Sequence, residues 1–366
     1  MSKNVIYNIL DQIAETQISD IHVIENKPLY ARTPAGQIKQ ISEEEILRDD
    51  IRWFLQDQLQ PYKLEKILNG EEVDFAYATS KARFRVNAYL EMEWISLAFR
   101  KINAEPPTFE EIWLPKYIQK SLLKDKWLIL VTWPTGSWKS TTLATMIEFI
   151  NQNRNVHIIT LEDPIEFVFK NKKALITQRE IGKHSPSWKD AIKYSLRQDP
   201  DVIMVWEMRD LETISAVLTL VETWHLVLST LHTIDAAQTI TRIIDVFPPH
   251  QQEQVAVQLS MTLELIISQR LLPTADWKSK VAAREILFNT PAVANNIRQR
   301  KIPQIISIME TGSKYWMTTM DRSLAELVAK WIITMEEALP KVKNLETFKI
   351  LLNWLKTNGK IFKPVD

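Results

Sequence analysis

Cysteine is absent from the 366 residues, which excludes disulfides and thiolate metal sites and is consistent with a cytosolic location. Charge bias is missing too. The 45 Lys and Arg balance 45 Asp and Glu, so nothing draws the chain as a whole toward nucleic acid or an anionic membrane. No apolar run reaches the roughly 18–20 residues of a membrane span, and the first residues lack a signal-peptide core. Glycine is scarce at 6 residues, against a usual share of roughly 7%. Tryptophan, by contrast, numbers 13.

What is present is otherwise ordinary for a globular protein: 45% hydrophobic and 25% charged residues. The length fits two domains of about 100–200 residues each. Residues 1–102 mix short helices and strands and read as an N-terminal α+β domain. VIYNILDQIAE (5–15) has helical spacing, with Ile6, Ile9, Leu10 and Ile13 on one face. Segments 18–25 and 28–41 alternate like paired strands, 43–59 reads as a helix, and 75–102 as two or three antiparallel strands. A linker is expected at 103–110, around Pro106-Pro107. From 111 to 366 the rhythm becomes strand–helix alternation, which implies a parallel sheet flanked by helices. The region after 250, including QEQVAVQLSMTLELIISQRLL (252–272), reads as largely helical.

Four motifs carry chemistry. Residues 127–142, WLILVTWPTGSWKSTT, run from an apolar strand through a turn to Lys139-Ser140-Thr141 opening a helix. That is the layout of a phosphate-binding loop, G-x-x-x-x-G-K-[ST], with Trp133 and Trp138 at its two glycine positions. ITLEDPIEF (159–167) ends a strand in Glu162-Asp163. DPDVIMVWEMRD (199–210) delivers Glu207 at a strand's carboxyl end, where ligand chemistry belongs in such sheets. TWHLVLSTLHT (223–233) places His225 and His232 on either side of a buried strand. A solvated strand-end carboxylate is the competing reading for Glu207, and a structural hydrogen-bonding role for the two histidines.

This set, in this order, resembles the secretion ATPases, and among them the type IV pilus retraction (twitching-motility, PilT-like) ATPases. Matching segments extend along nearly the whole chain: SDIHV (19–23), ARFRVN (82–87), LITQREIG (175–182), RIIDVFPP (242–249), ISQRLLP (267–273) and TPAVANNIRQRKIPQIISIMETG (290–312). The resemblance implies an α/β architecture, with a PAS-like N-terminal domain followed by a RecA-like P-loop ATPase domain with a helical C-terminal part. It implies a cytoplasmic homo-hexamer peripheral to the inner membrane, working with the pilus machinery and driving pilin subunits out of the pilus. ATP and Mg²⁺ would be its cofactors, with no nucleic acid and no transmembrane segment involved. By position, Pro134, Thr135, Gly136, Ser137, Lys139, Ser140 and Thr141 would line the nucleotide, with Lys139 on the β/γ-phosphates and Ser140 on Mg²⁺. Glu162 would act as catalytic base, and Glu207 would hold Mg²⁺ through water. His225 and His232 would sense the γ-phosphate. Arg83, Arg85 and Arg100 are candidates for fingers reaching a neighbour's nucleotide, the alternative for Arg83 and Arg85 being a solvated strand face. The helix around 292–301 would couple hydrolysis to retraction.

The family pattern also sets an expectation that this chain breaks. Glycine is expected where tryptophan stands at 94, 113, 127, 133, 138, 206, 224, 277, 316 and 331. Trp53, Trp188 and Trp354 alone look native to their positions. Ten exchanges of one kind point to a systematic alteration. An indole forfeits the positive φ and the close backbone approach that glycine permits. Trp133 and Trp138 are expected to obstruct the phosphate loop, Trp206 to crowd Glu207, and Trp224 to crowd His225. The expected consequence is a retraction-motor scaffold impaired in ATP binding and hydrolysis. An active motor that tolerates the tryptophans is one alternative. A RecA-like nucleic-acid motor is another, although the chain has no basic stripe or stacking module.

Overall fold

Six strands build the first part of the computed structural model. Strands β1 (Asp20–Ile24), β2 (Pro28–Arg32), β3 (Ile38–Glu45), β4 (Val73–Ala78), β5 (Arg83–Glu91) and β6 (Trp94–Ile102) form one antiparallel sheet, ordered β3-β2-β1-β6-β5-β4. On β5, Phe84, Val86 and Ala88 are buried while Arg83, Arg85 and Asn87 are half-buried, the pattern of a sheet covered on one face. Ile6, Leu10 and Ile13 of the helix Val5–Ile13 and Ile51, Phe54 and Leu55 of the helix Arg48–Gln58 join the core on the covered face. Phe54 lies 5.6 Å from Phe99, and Phe84 meets Phe99 edge to face at 6.2 Å, an arrangement that favours aromatic pairs beyond area burial. The helix expected at 43–59 starts later. Glu43–Glu45 belong to β3, and the helix begins at Arg48, where Asp50 Oδ2 accepts from the Leu47 N–H at 3.3 Å.

The second sheet has seven strands: β7 (Trp127–Thr132), β8 (His157–Glu162), β9 (Leu175–Glu180), β10 (Val202–Val205), β11 (Leu226–Leu231), β12 (Leu263–Pro273) and β13 (Lys280–Phe288), ordered β13-β12-β7-β11-β10-β8-β9. Its pairs are parallel apart from β12–β13. The helices Lys139–Asn153, Trp188–Ser195, Leu211–Glu222 and Ala236–Asp245 connect the parallel strands. Ser187, Asp210 and Asp235 cap the last three by accepting from backbone N–H groups, which satisfies donors a helix leaves open. The helical reading of 252–272 holds only to Thr262. Leu263–Pro273 is strand β12, with Leu263, Leu265, Ile266 and Ile267 fully buried. Helices Pro291–Arg298, Pro303–Thr311, Met320–Ala329 and Leu345–Thr357 follow.

The structure describes residues 5–13, 16, 18, 20–33, 37–79, 82–92, 94–102, 105–132, 139–277 and 279–357. The chain divides into two compact units, 1–106 with 163–169, and 107–162 with 170–366. The segment after β8 thus belongs with the first unit, where Arg83 Nε donates to the Ile165 carbonyl at 3.0 Å.

Backbone angles bear on the tryptophans. Trp113 (φ 56°), Trp127 (150°), Trp224 (69°), Trp277 (57°), Trp316 (58°) and Trp331 (59°) all adopt positive φ, a region that costs an L-residue about 1–2 kcal/mol and glycine almost nothing. Trp224 and Trp331 stand just past the ends of the helices Leu211–Glu222 and Met320–Ala329, where glycine is the usual residue. Trp53, Trp188 and Trp354 lie within right-handed helices. Trp94 and Trp206 have ordinary backbone. Trp133 and Trp138 fall outside the described residues.

Candidate active site

Because β7, β8, β10 and β11 run parallel, their carboxyl ends lie along one edge of the sheet, the edge where open α/β sheets bind ligands. Register places Val205 beside Leu161 on one side and Ser229 on the other, and Leu231 beside Thr132. Glu162 therefore ends β8, Glu207 follows β10 by two residues, and His232 follows β11 directly. Lys139 begins the helix that follows β7.

These side chains meet. Lys139 Nζ lies 3.1 Å from a ring nitrogen of His232. His232 Nε2 lies 2.9 Å from Glu207 Oε1, and Arg209 Nε pairs with Glu207 Oε2 at 2.9 Å. Burial pushes the Lys139 ammonium down to about 8; Arg209 adds to this, while Glu207 opposes it. Glu162 is almost fully buried, at 2% exposure. Its Oε1 accepts from Thr160 Oγ1 at 2.6 Å and from Gln178 Nε2 at 3.0 Å, so the carboxylate is held in one orientation. Ser140 and Thr141 lie half-buried in the first turn of the helix. An ammonium, a helix start and two buried carboxylates along one edge are the kinds of group suited to a Mg²⁺-bound triphosphate.

Not every expected residue arrives here. His225 precedes β11 whereas His232 follows it, so the six-residue strand sets them roughly 20 Å apart. His225 Nδ1 lies 2.9 Å from the Leu220 carbonyl and 3.1 Å from Thr223 Oγ1, closing the helix Leu211–Glu222 at the amino edge. His225, expected to sense the γ-phosphate, thus lies at the opposite edge from Lys139, Glu207 and His232, in the hydrogen bonding that was its alternative reading. Trp224, expected to crowd His225, stands beside it at the same amino edge with its ring exposed under Lys126 Nζ at 3.7 Å, while His225 keeps its contacts to Leu220 and Thr223. Trp206 does stand at the carboxyl edge. It is half-buried, its N–H donates to the Leu161 carbonyl at 3.0 Å, and its own carbonyl accepts from Thr230 Oγ1. Pro134, Thr135, Gly136 and Ser137, with Trp133 and Trp138, lie outside the described residues.

Arg83, Arg85 and Arg100 belong to the first unit and share one sheet face, since Arg83 and Arg85 alternate on β5 and Arg100 pairs in register with Arg85. Arg85 Nη2 lies 3.0 Å from Asp74 Oδ2, and Arg100 Nε lies 2.8 Å from Asp20 Oδ1. Several supporting residues escaped the sequence reading. Arg209 on Glu207 had a local signal, two residues away on one strand end. Thr160 had the same local signal, two residues before Glu162 on β8, whereas Gln178 had none, because it arrives from β9. Nor did the buried trio in which Thr142 Oγ1 and Arg284 Nε both donate to Gln269 Oε1, at 2.9 Å and 3.4 Å.

Comparison with known proteins agrees with this geometry. Residues 65–335 match the family described as type II/IV secretion system protein. A twitching motility protein of Neisseria gonorrhoeae is 44% identical over 313 residues, 85% of this chain and 84% of that one. A type IV pilus retraction ATPase of Pseudomonas aeruginosa is 39% identical over 336 residues, 92% of this chain and 97% of that one. The solved structure of a pilus retraction motor with bound ADP superposes with a TM-score of 0.85 at 40% identity, covering 94% of this chain and 99% of that one. Among the described residues no helix is long and apolar enough to cross a membrane. The chain belongs to the type II/IV secretion ATPase family, in its pilus retraction branch.

Proposed function

We propose that this chain is the scaffold of a hexameric motor subunit that powers type IV pilus retraction by ATP hydrolysis at the cytoplasmic face of the inner membrane, and that as written it is impaired in binding and hydrolysing ATP. The meeting of Lys139, Glu207 and His232, with Glu162 buried at the end of the adjacent strand β8, carries the reading. Bound Mg-ATP would supply the phosphoryl group and the divalent charge. Lys139 and Ser140 would hold the phosphates and metal, Glu207 would reach the metal through water, and the oriented Glu162 carboxylate would accept a proton from water. His232 would read the γ-phosphate, and Arg83, Arg85 and Arg100 would serve a neighbouring subunit. Catalysis of this class rests on positioning and charge neutralisation. That is why a half-buried Trp206 next to Glu207 and two indoles in the phosphate loop count against turnover.

Six positive-φ tryptophans, together with the two at loop positions that require glycine, favour one systematic exchange, a single codon read as tryptophan where the fold calls for glycine. Peptide mapping by mass spectrometry of the protein isolated from its source cells tests this. Glycine at the ten positions and tryptophan at 53, 188 and 354 is the expected result, and tryptophan at all thirteen overturns it. The impairment is tested by turnover of this chain beside one with Trp133, Trp138 and Trp206 returned to Gly. A deficit of about a hundredfold or more is expected, since misplacing reacting groups by an ångström already costs about that much. Equal turnover rejects the reading.

A further inference from the structure

Away from the nucleotide edge, one lysine sits among three buried carboxylates drawn from distant parts of the sequence. Lys343 Nζ lies 2.8 Å from Asp235 Oδ2 and 3.5 Å from Glu285 Oε2. Asp235 and Glu285 are 9% and 6% exposed. Asp235 comes three residues after His232, and its other oxygen accepts from the Gln238 N–H at 2.7 Å. Glu285, on β13, accepts from the Ala236 N–H at 2.9 Å. Both carboxylates therefore grip the turn that leads from His232 into the helix Ala236–Asp245. On the other side, Asp321 accepts from the N–H groups of Lys343 and Asn344, each at 2.8 Å, and Asn344 Oδ1 accepts from the first turn of the helix Leu345–Thr357.

We propose that Lys343 is a positioning residue that holds the His232 turn by tying it to the C-terminal helices. The role of His232 rests on the retraction-ATPase reading; the tie itself does not. Without the ammonium, Asp235 and Glu285 face each other as buried carboxylates with no countercharge, which is costly. Burial already pushes the Glu285 carboxyl up, whereas burial alone would push the Lys343 amine down, and Glu285 and Asp235 together outweigh it. The turn and the C-terminal helix, more than 100 residues apart, would then loosen together. Movement of His232 with nucleotide would reach the C-terminal helices by the same joint.

Hydrogen exchange followed by mass spectrometry on the full chain tests the tie, comparing Lys343→Met and Lys343→Arg with the parent. Lys343→Met should speed exchange about tenfold or more in both 233–239 and 345–357, because both segments lose the same anchor. Lys343→Arg, which keeps the charge, should leave both near the parent. Faster exchange confined to 345–357, or none, overturns the proposal. A second readout uses the chain with Trp133, Trp138 and Trp206 returned to Gly. There Lys343→Met should lower kcat about tenfold with KM for ATP nearly unchanged, as expected when a transition-state group is misplaced. An unchanged kcat overturns the positioning role. If that restored chain turns over no ATP even with Lys343 intact, the retraction-ATPase reading fails, and the exchange result still decides the tie.

Discussion

At Trp331 the choice between glycine and alanine isolates backbone strain from every contact of the indole. Trp331 has φ 59° and a ring 65% exposed. Its N–H donates to the Val328 carbonyl and the Ile332 N–H to the Leu327 carbonyl, both at 3.0 Å, so the helix end is closed by a left-handed residue. Trp331→Ala and Trp331→Gly lose the same ring contacts and differ only at Cβ. Left-handed backbone costs alanine about 1–2 kcal/mol, and glycine's greater freedom in the unfolded chain returns about 0.5–1 kcal/mol of that. The glycine variant should therefore be the more stable by about 1 kcal/mol. Trp53 provides the control, half-exposed in the middle of the helix Arg48–Gln58; there glycine should be less stable than alanine by about 0.8–1 kcal/mol. Urea unfolding of the four variants, each fitted for the transition of the unit it alters, reads out both differences. A reversal of sign between the two sites is the predicted result. Alanine matching or exceeding glycine at Trp331 would refute the inference that the fold calls for glycine there.

Three further outcomes follow from the second unit. Arg284 is 4% exposed and donates to the Ile112 and Trp113 carbonyls, each at 2.8 Å, as well as to Gln269. Arg284→Lys cannot reach all three acceptors and should cost about 2–3 kcal/mol; a thermal melt unchanged from the parent would contradict this. Lys139 has a folded-state value of about 8, below its ordinary 10.5, so the unfolded chain binds the extra proton between those values and stability should rise with pH across that window. Discounted for partial exposure, the gain is on the order of 1–2 kcal/mol; Lys139→Met should remove it, and parallel pH profiles of the two chains would refute the shift. In the chain with Trp133, Trp138 and Trp206 returned to Gly, Glu162→Gln should cut turnover at least about a hundredfold while Mg-ATP still raises the melting point. Retained turnover would remove Glu162 from the catalytic role.

Legibility in the sequence followed the physics of each element. Strand β5 could be read because one of its faces is buried and its residues alternate, and the strands at β7, β10 and β11 because turns and helices bracket them. Strand β12 could not: Leu263, Leu265, Ile266 and Ile267 are all buried, and a run apolar on every side has no period that separates strand from helix. In the site, Lys139, Glu162, Glu207 and His232 could be found because each sits at a strand end or helix start. His225 looked equivalent to His232 until the strand between them set the two on opposite edges. Gln178 and Gln269 act through cross-strand neighbours, a relation that depends on sheet order rather than sequence distance.

The most direct test is a thermal melt of this chain with and without saturating Mg-ATP, beside the chain carrying Gly at 133, 138 and 206. A ligand that binds only the folded state stabilises it by about 2.7 kcal/mol at a hundredfold excess over Kd. The account predicts a cooperative melt that ATP leaves unshifted for this chain and raises for the restored one. An equal upward shift in both would contradict it, because the phosphate site would then accept the nucleotide with all three tryptophans in place.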